Sequence, residues 1–176
     1  VVVRWVDYLK KTDTLDKRYP FHHWLAMKLK IYLDTSVISA RFDDRNPDRR
    51  MLTEEFWMRI PQYEVYVSDL TLDEIEKNKN PILTEKMQLC AKPFTILKKN
   101  DEVMALVTEL MYYDAVPQNS PEDAYHLAIA VVAGMDYLLS WNFRHLVRLK
   151  TREVMRMVTT LRGYSPIEIL APPQLI

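Results

Sequence analysis

This sequence predicts an α/β fold of three layers, with helices on both faces of a central, mostly parallel sheet. Three observations predict it. Short apolar runs alternate with helical patterns after residue 30, several helical segments open on a capping residue or a proline, and an acid closes the first apolar run. Hydrophobic residues at 48% and charged residues at 27% of 176 fit one globular core, able to bury about 70% of the surface its unfolded chain exposes.

Lys30 to Leu33 reads as the first strand, closed by Asp34 and followed by Thr35 and Ser36, whose hydroxyls can cap a short helix from Ser36 to Ala40. That puts a carboxylate at the carboxyl end of a buried strand, where open α/β sheets keep their ligands. Arg49 to Arg59 carries Leu52, Phe56 and Ile60 at helical spacing, and Pro61 ends it. Glu64 to Val67 is the second strand; Ser68 or Asp69 then caps a helix through Leu72 and Ile75. Pro81 begins another helix, running to Cys90, and Phe94-Thr95-Ile96 is the third strand. Asp101 to Tyr113 sets Val103, Leu106, Val107 and Leu110 on one face. In Ser120-Pro121-Glu122-Asp123, a capping serine, a proline at the first turn and two acids suited to the helix dipole start a helix that runs to Val132 and stops at Gly134. Tyr137 to Ser140 is a buried strand, Arg152 to Leu161 the last helix, and Ile167 to Ile169 a terminal strand.

Residues 1–26 break this rhythm, with Trp5, Trp24 and a Pro20 turn. They read as an N-terminal extension, native or the product of an upstream start-site assignment, holding a possible helix from Trp5 to Lys11. Residues 27–176 form the domain, with Met27 as its natural start. His22 and His23 are adjacent and point in different directions, so they do not read as a metal site.

Composition removes several function classes. Cys90 is the single cysteine, so no internal disulfide, cysteine zinc site or redox pair exists. With no apolar run near the roughly 18 residues of a membrane span, the chain reads as cytosolic. Gly134 and Gly163 are the only glycines, which rules out a P-loop or dinucleotide fingerprint, and no serine-hydrolase elbow is present. A dehalogenase-like phosphatase needs a second acid two positions after Asp34, and Ser36 stands there. The net charge of zero argues against a uniformly basic nucleic-acid binder, yet Arg144, Arg148, Lys150, Arg152, Arg156 and Arg162 face only Glu153 in their segment. That leaves +5 there and −5 elsewhere: a solvated helix face, or a phosphate-binding strip beside an acidic site.

Right-handed crossovers gather strand ends and the helix starts behind them on one edge. Asp34, Glu74 and Asn142 can meet there, and Asp123, whose helix precedes a strand, joins them if that helix lies antiparallel to its neighbours or overhangs the rim. Taken singly, Glu74 is an exposed helical acid, Asp123 a partner of the Ser120 cap and Asn142 a turn residue; the ordered set carries the weight.

On four motifs the chain resembles the PIN-domain family, in particular its VapC-like ribonuclease toxins. They are Ile31-Tyr32-Leu33-Asp34-Thr35-Ser36-Val37-Ile38, Ser68-Asp69-Leu70-Thr71-Leu72-Asp73-Glu74-Ile75, Glu122-Asp123-Ala124-Tyr125-His126-Leu127-Ala128-Ile129-Ala130 and Leu138-Leu139-Ser140-Trp141-Asn142-Phe143. The resemblance covers about Lys28 to Leu170. It implies a PIN-like fold and an acidic site of Asp34, Glu74 and Asp123 that binds Mg²⁺ or Mn²⁺ to cleave single-stranded RNA. Asp34 and Asp123 would be the principal metal ligands, and Glu74 a ligand through water or a general base. Asn142 stands where many members carry aspartate; an amide can still ligate through its oxygen or hold a metal-bound water, with one negative charge fewer. Thr35 and Ser36 would hold a ligand water or a phosphate oxygen, and Arg144 and Arg148 would contact the RNA backbone. The family also implies a cognate antitoxin protein and a homodimer. Phe56-Trp57 with Tyr63 can supply an apolar surface for either, or Phe56 can be core and Trp57 half exposed. The alternative function is an inactive PIN-like module that binds RNA or a protein partner.

Overall fold

A computed structural model describes residues 28–176. The expectations for residues 1–26 and for Met27 lie outside the described residues. Five strands form one sheet: β1 (Lys30–Leu33), β2 (Glu64–Ser68), β3 (Thr95–Leu97), β4 (Tyr137–Leu139) and β5 (Glu168–Leu170). Their order is β3-β2-β1-β4-β5, and every neighbouring pair is parallel. The first strand is therefore central, covered on both faces, and continuously apolar as a doubly buried strand must be.

Seven α-helices are described: α1 (Thr35–Ala40), α2 (Pro47–Trp57), α3 (Asp69–Glu76), α4 (Pro81–Ala91), α5 (Asp101–Tyr112), α6 (Pro121–Val132) and α7 (Leu149–Arg162). The pleat divides them between two cores. Tyr32, Leu138 and Ile169 point to the layer of α5, α6 and α7, where Leu106, Leu110, Leu127, Val131 and Val158 are buried. Ile31, Leu33, Val67 and Leu139 point to the other, against Val37, Ile38, Phe56, Ile75 and Met87. Phe56 is core, and Trp57 is half-buried with the Arg41 guanidinium 4.3 Å from its ring. Of the aromatic segment, Phe56 fills the interior, while Trp57 and Tyr63 pack against the same core and stay partly exposed.

Two helix starts and one helix cap differ from the sequence expectation for local reasons. The Asn46 side chain accepts the Arg49 N–H at 3.2 Å, which moves the start of α2 forward to Pro47. α7 begins at Leu149 without a side-chain cap, so no signal in the sequence marked it. Ser120 holds the cap position of α6 but does not cap it. Its ψ of 57° is not the extended conformation that aims a hydroxyl into the first turn, and its carbonyl accepts the Asp123 N–H at 3.2 Å instead. α7 closes at Gly163, whose φ of 73° is the left-handed conformation that favours glycine.

Candidate metal centre

Asp34 leaves the end of β1 on the same face as Tyr32, two residues back, with its own N–H donated to Leu139 O at 3.1 Å. It occupies the cap position of α1, yet its carboxylate makes no cap bond. Instead Ser36 and Ser140 both donate to Oδ2, at 2.5 and 2.6 Å. Each serine is itself fixed by a backbone donor: the Trp141 N–H reaches Ser36 Oγ, and the Asn142 N–H reaches Ser140 Oγ, both at 2.9 Å. A hydroxyl that accepts a backbone N–H has its one proton left to donate, and here that proton goes to Asp34. Oδ1 receives no hydrogen bond among the described residues. With only 6% of Asp34 exposed, its carboxylate is desolvated, half satisfied and held rigid.

Two groups face that oxygen. His126 Nε2 lies 3.6 Å from Asp34 Oδ1 and 3.2 Å from Glu74 Oε2, and Thr35 Oγ1 also donates to Glu74 Oε2. Behind the imidazole, Tyr32 Oη sits 2.6 Å from Nδ1 and 2.7 Å from Ser68 Oγ, with Thr71 Oγ1 at 3.3 Å. Burial alone would push the His126 pKa down, but Tyr32, Glu74 and Asp34 outweigh it and raise it well above the usual imidazole value. Burial alone would raise Glu74; the bonds from His126 and Thr35 bring it below the ordinary carboxylate range.

Asp34, Glu74 and His126 each place a ligand atom within 4.8 Å of the others, so the three can hold a divalent cation. The donor set fits. Two carboxylates carry the charge, the imidazole is oriented through its far nitrogen as metal-ligating histidines are, and Thr35, Ser36 and Ser140 orient the carboxylates.

Asp123 opens α6 on the same edge, within range for the Asp34 charge to act on it. Its Oδ1 accepts from Asn142 Nδ2 at 2.9 Å, and its Oδ2 lies 2.8 Å from His145 Nδ1. The Asn142 orientation is chemically forced: the His145 N–H donates to its other terminal atom at 3.0 Å, so that atom is the oxygen. Burial and the Asp34 charge raise the Asp123 pKa against the opposing pull of His145. Thr35 and Ser36 are the first two residues of α1, and both hydroxyls are directed at the carboxylates. Arg144 is exposed in the turn after Asn142. Arg148 donates to Ala115 O and Thr151 Oγ1, at 3.2 and 3.0 Å.

Sequence reasoning passed over His126, Ser140 and His145. His126 carried one usable signal: it lies three residues after Asp123 in the same helix, which puts the two on neighbouring faces of the same turn. Ser140 and His145 carried none, since their roles depend on Asp34 and Asp123 being brought to them.

A parallel five-stranded sheet with helices on both sides and an acidic cluster beyond its central carboxyl edge defines a metal-binding α/β class. Within it the family is settled: residues 31–145 match the PIN domain, and the chain belongs to the PIN-domain family. No curated protein sequence matches it. Among solved structures it is similar to a chain of VapBC-1 from nontypeable Haemophilus influenzae, with 14% identity and TM-score 0.53 over 82% of this chain and 98% of that one. It is also similar to a chain of VapBC2 from Rickettsia felis, bound to a DNA fragment from their promoter: 12% identity, TM-score 0.53, 81% and 98% covered. A third is the sarcin–ricin-loop-cleaving toxin VapC20 of Mycobacterium tuberculosis, at 16% identity and TM-score 0.50 over 61% and 86%. These likenesses share the fold.

Proposed function

We propose that the protein is a divalent-metal-dependent endoribonuclease that cleaves single-stranded RNA, the toxin of a toxin–antitoxin pair. The observation that carries this reading is the convergence of Asp34, Glu74 and His126 at the edge of a PIN sheet. Similarity to a loop-cleaving toxin and to two VapBC structures supports the RNA substrate and an antitoxin partner.

A bound Mg²⁺ or Mn²⁺ would supply an acidified water and offset charge on the phosphoryl oxygens. Asp34 would hold the ion, with Oδ1 the oxygen its two serines leave unheld. Glu74 would hold the ion through a water or accept a proton from the attacking one; its lowered pKa keeps it ionised, which favours the first task and weakens it as a base. Asp123 is the other principal ligand, and Asn142 and His145 set its orientation. Asn142 orients Asp123 through its amide N–H, and its oxygen, which accepts one N–H from His145, would keep a second lone pair for the ion or a metal-bound water. Thr35 and Ser36 orient the carboxylates. Arg144 contacts the RNA backbone, with Arg148 shaping the turn behind it.

A second reading has one observation in its favour. Both oxygens of Asp123 are engaged within the chain and Asn142 adds no charge, as a PIN-like module that binds RNA or a protein partner without cleaving would show. Incubating the protein and its Asp34→Asn variant with a structured RNA bearing exposed loops, in Mn²⁺, separates the two. Cleavage by the wild type alone is the expected result, and equal absence in both sinks the nuclease reading. Co-purification of a small antitoxin and a dimer mass in solution test the assembly. Among the described residues no helix is long and apolar enough to cross a membrane, and the cytoplasm is the proposed compartment.

A further inference from the structure

A cavity of about 280 Å³ lies between α7 and the edge strand β5, built from residues the metal centre does not use. Arg152 and Arg156, one helical turn apart, line it with Thr160, Tyr164, Ile167 and Glu168. Half of the described arginines meet an acid: Arg41 meets Glu54, Arg45 and Arg49 meet Asp43, Arg50 meets Asp44, and Arg162 meets Glu109. Arg152 and Arg156 form no ion pair among the described residues, and like charges at this spacing repel. A second observation is independent of the cavity. The Arg152 Nε is buried and has no acceptor. Arg49 Nε shares that condition, but its guanidinium is already paired with Asp43. A buried Nε without an acceptor, on a guanidinium that forms no ion pair, points to a partner from outside the chain.

The lining fixes the partner's chemistry. Thr160 spends its hydroxyl proton on Arg156 O at 2.7 Å, and Tyr164 spends its own on Glu102 at 2.8 Å. The side-chain donors left at the cavity belong to the two guanidiniums, whose forks suit phosphate oxygens. Tyr164 and Ile167 give the wall an apolar stretch. Glu168 would repel a phosphate placed against it but accepts hydroxyl protons, as acids do from ribose.

We propose that this cavity binds a nucleoside monophosphate, with the phosphate on Arg152 and Arg156, the base against Tyr164 and Ile167, and the ribose hydroxyls on Glu168. The terminal nucleotide of an RNA strand presents the same chemistry. No metal and no residue of the candidate nuclease centre takes part, so this site stands or falls apart from the proposed function.

Calorimetric titration of the metal-free protein with AMP, UMP, inorganic phosphate and a 3′-phosphorylated trinucleotide tests it. A nucleotide is expected to bind once per chain, about tenfold tighter than phosphate, and to lose about tenfold in Arg156→Gln, a change at an exposed position. Glu168→Gln should weaken the nucleotides and leave phosphate unchanged, and Asp34→Asn should alter nothing. A trinucleotide that binds tighter than AMP and loses affinity in Arg156→Gln upholds the site and assigns it to an RNA end. Nucleotides no tighter than phosphate, or affinity unchanged in Arg156→Gln, overturn the proposal. So does a loss of binding in Asp34→Asn, which would put the ligand at the metal centre.

Discussion

Asp34 and Asp123 stand on the same edge of the sheet, and their surroundings differ in kind. Two serine hydroxyls hold one oxygen of Asp34 and leave the other to face His126 and Glu74. Asn142 and His145 hold both oxygens of Asp123. One carboxylate is anchored and available; the other is anchored and engaged. A buried acid advertises function less by its burial than by which of its lone pairs the protein leaves unused.

The largest expected effect follows from that contrast. Asp34→Asn should lower metal-dependent cleavage by roughly a thousandfold, about 4 kcal/mol of transition-state stabilisation. Asp123→Asn, at a carboxylate the chain already shares, should cost less, roughly tenfold to a hundredfold. Single-turnover cleavage of a labelled RNA measures both, and equal losses would erase the distinction. Asn142→Asp should sharpen it from the other side. A second charge beside Asp123 repels it in the metal-free protein and attracts a cation, so Mn²⁺ affinity should rise about tenfold while metal-free stability falls.

The pH dependence should separate the halves further. His126 has a folded-state pKa raised well above the imidazole's unfolded value of about 6.5. Its contribution is therefore fully present below that value and lost as pH rises through the folded pKa. Metal-free protein should melt at lower temperature as pH climbs past neutrality, and His126→Gln should flatten that slope in thermal scans with chelator. Mn²⁺ should bind more tightly over the same rise, because the ion and the imidazolium compete for the same carboxylates. The smallest effect belongs to Arg144→Gln, which should leave metal affinity alone and reduce the salt slope of single-stranded RNA binding by about 0.7. An unchanged slope would remove Arg144 from the RNA path.

Much of this was legible in the sequence, where local signals were strong. β1 is the apolar run Lys30 to Leu33, ending at the acid that marks the site, and α6 spans Pro121 to Val132 because a proline and a glycine punctuate it. The gathering of Asp34 and Glu74 at one edge followed from parallel connectivity, whereas Asp123 needed a helix orientation that connectivity alone does not set. What stayed hidden was relational. His126 reads as one polar residue on an apolar helix, and its orientation comes from Tyr32, 94 residues away. Ser140 looks like the end of a strand until Asp34, 106 residues earlier, receives its proton. The contact of Asn142 was hidden for the same reason: its oxygen accepts the N–H of His145 while its amide donates to Asp123, 19 residues earlier.

The position of β1 also sets a schedule for synthesis. It pairs with β2 on one side and with β4 on the other, so its second neighbour leaves the ribosome some hundred residues after it. A nascent chain that has reached the end of α5 already contains Asp34 and Glu74, but not His126, Asp123 or the serine that completes the Asp34 cradle. Long-range parallel pairing is slow to form and comes late. The full acidic edge therefore assembles only after residue 145 has cleared the exit tunnel, so the proposed nuclease centre exists only once most of the chain has been made.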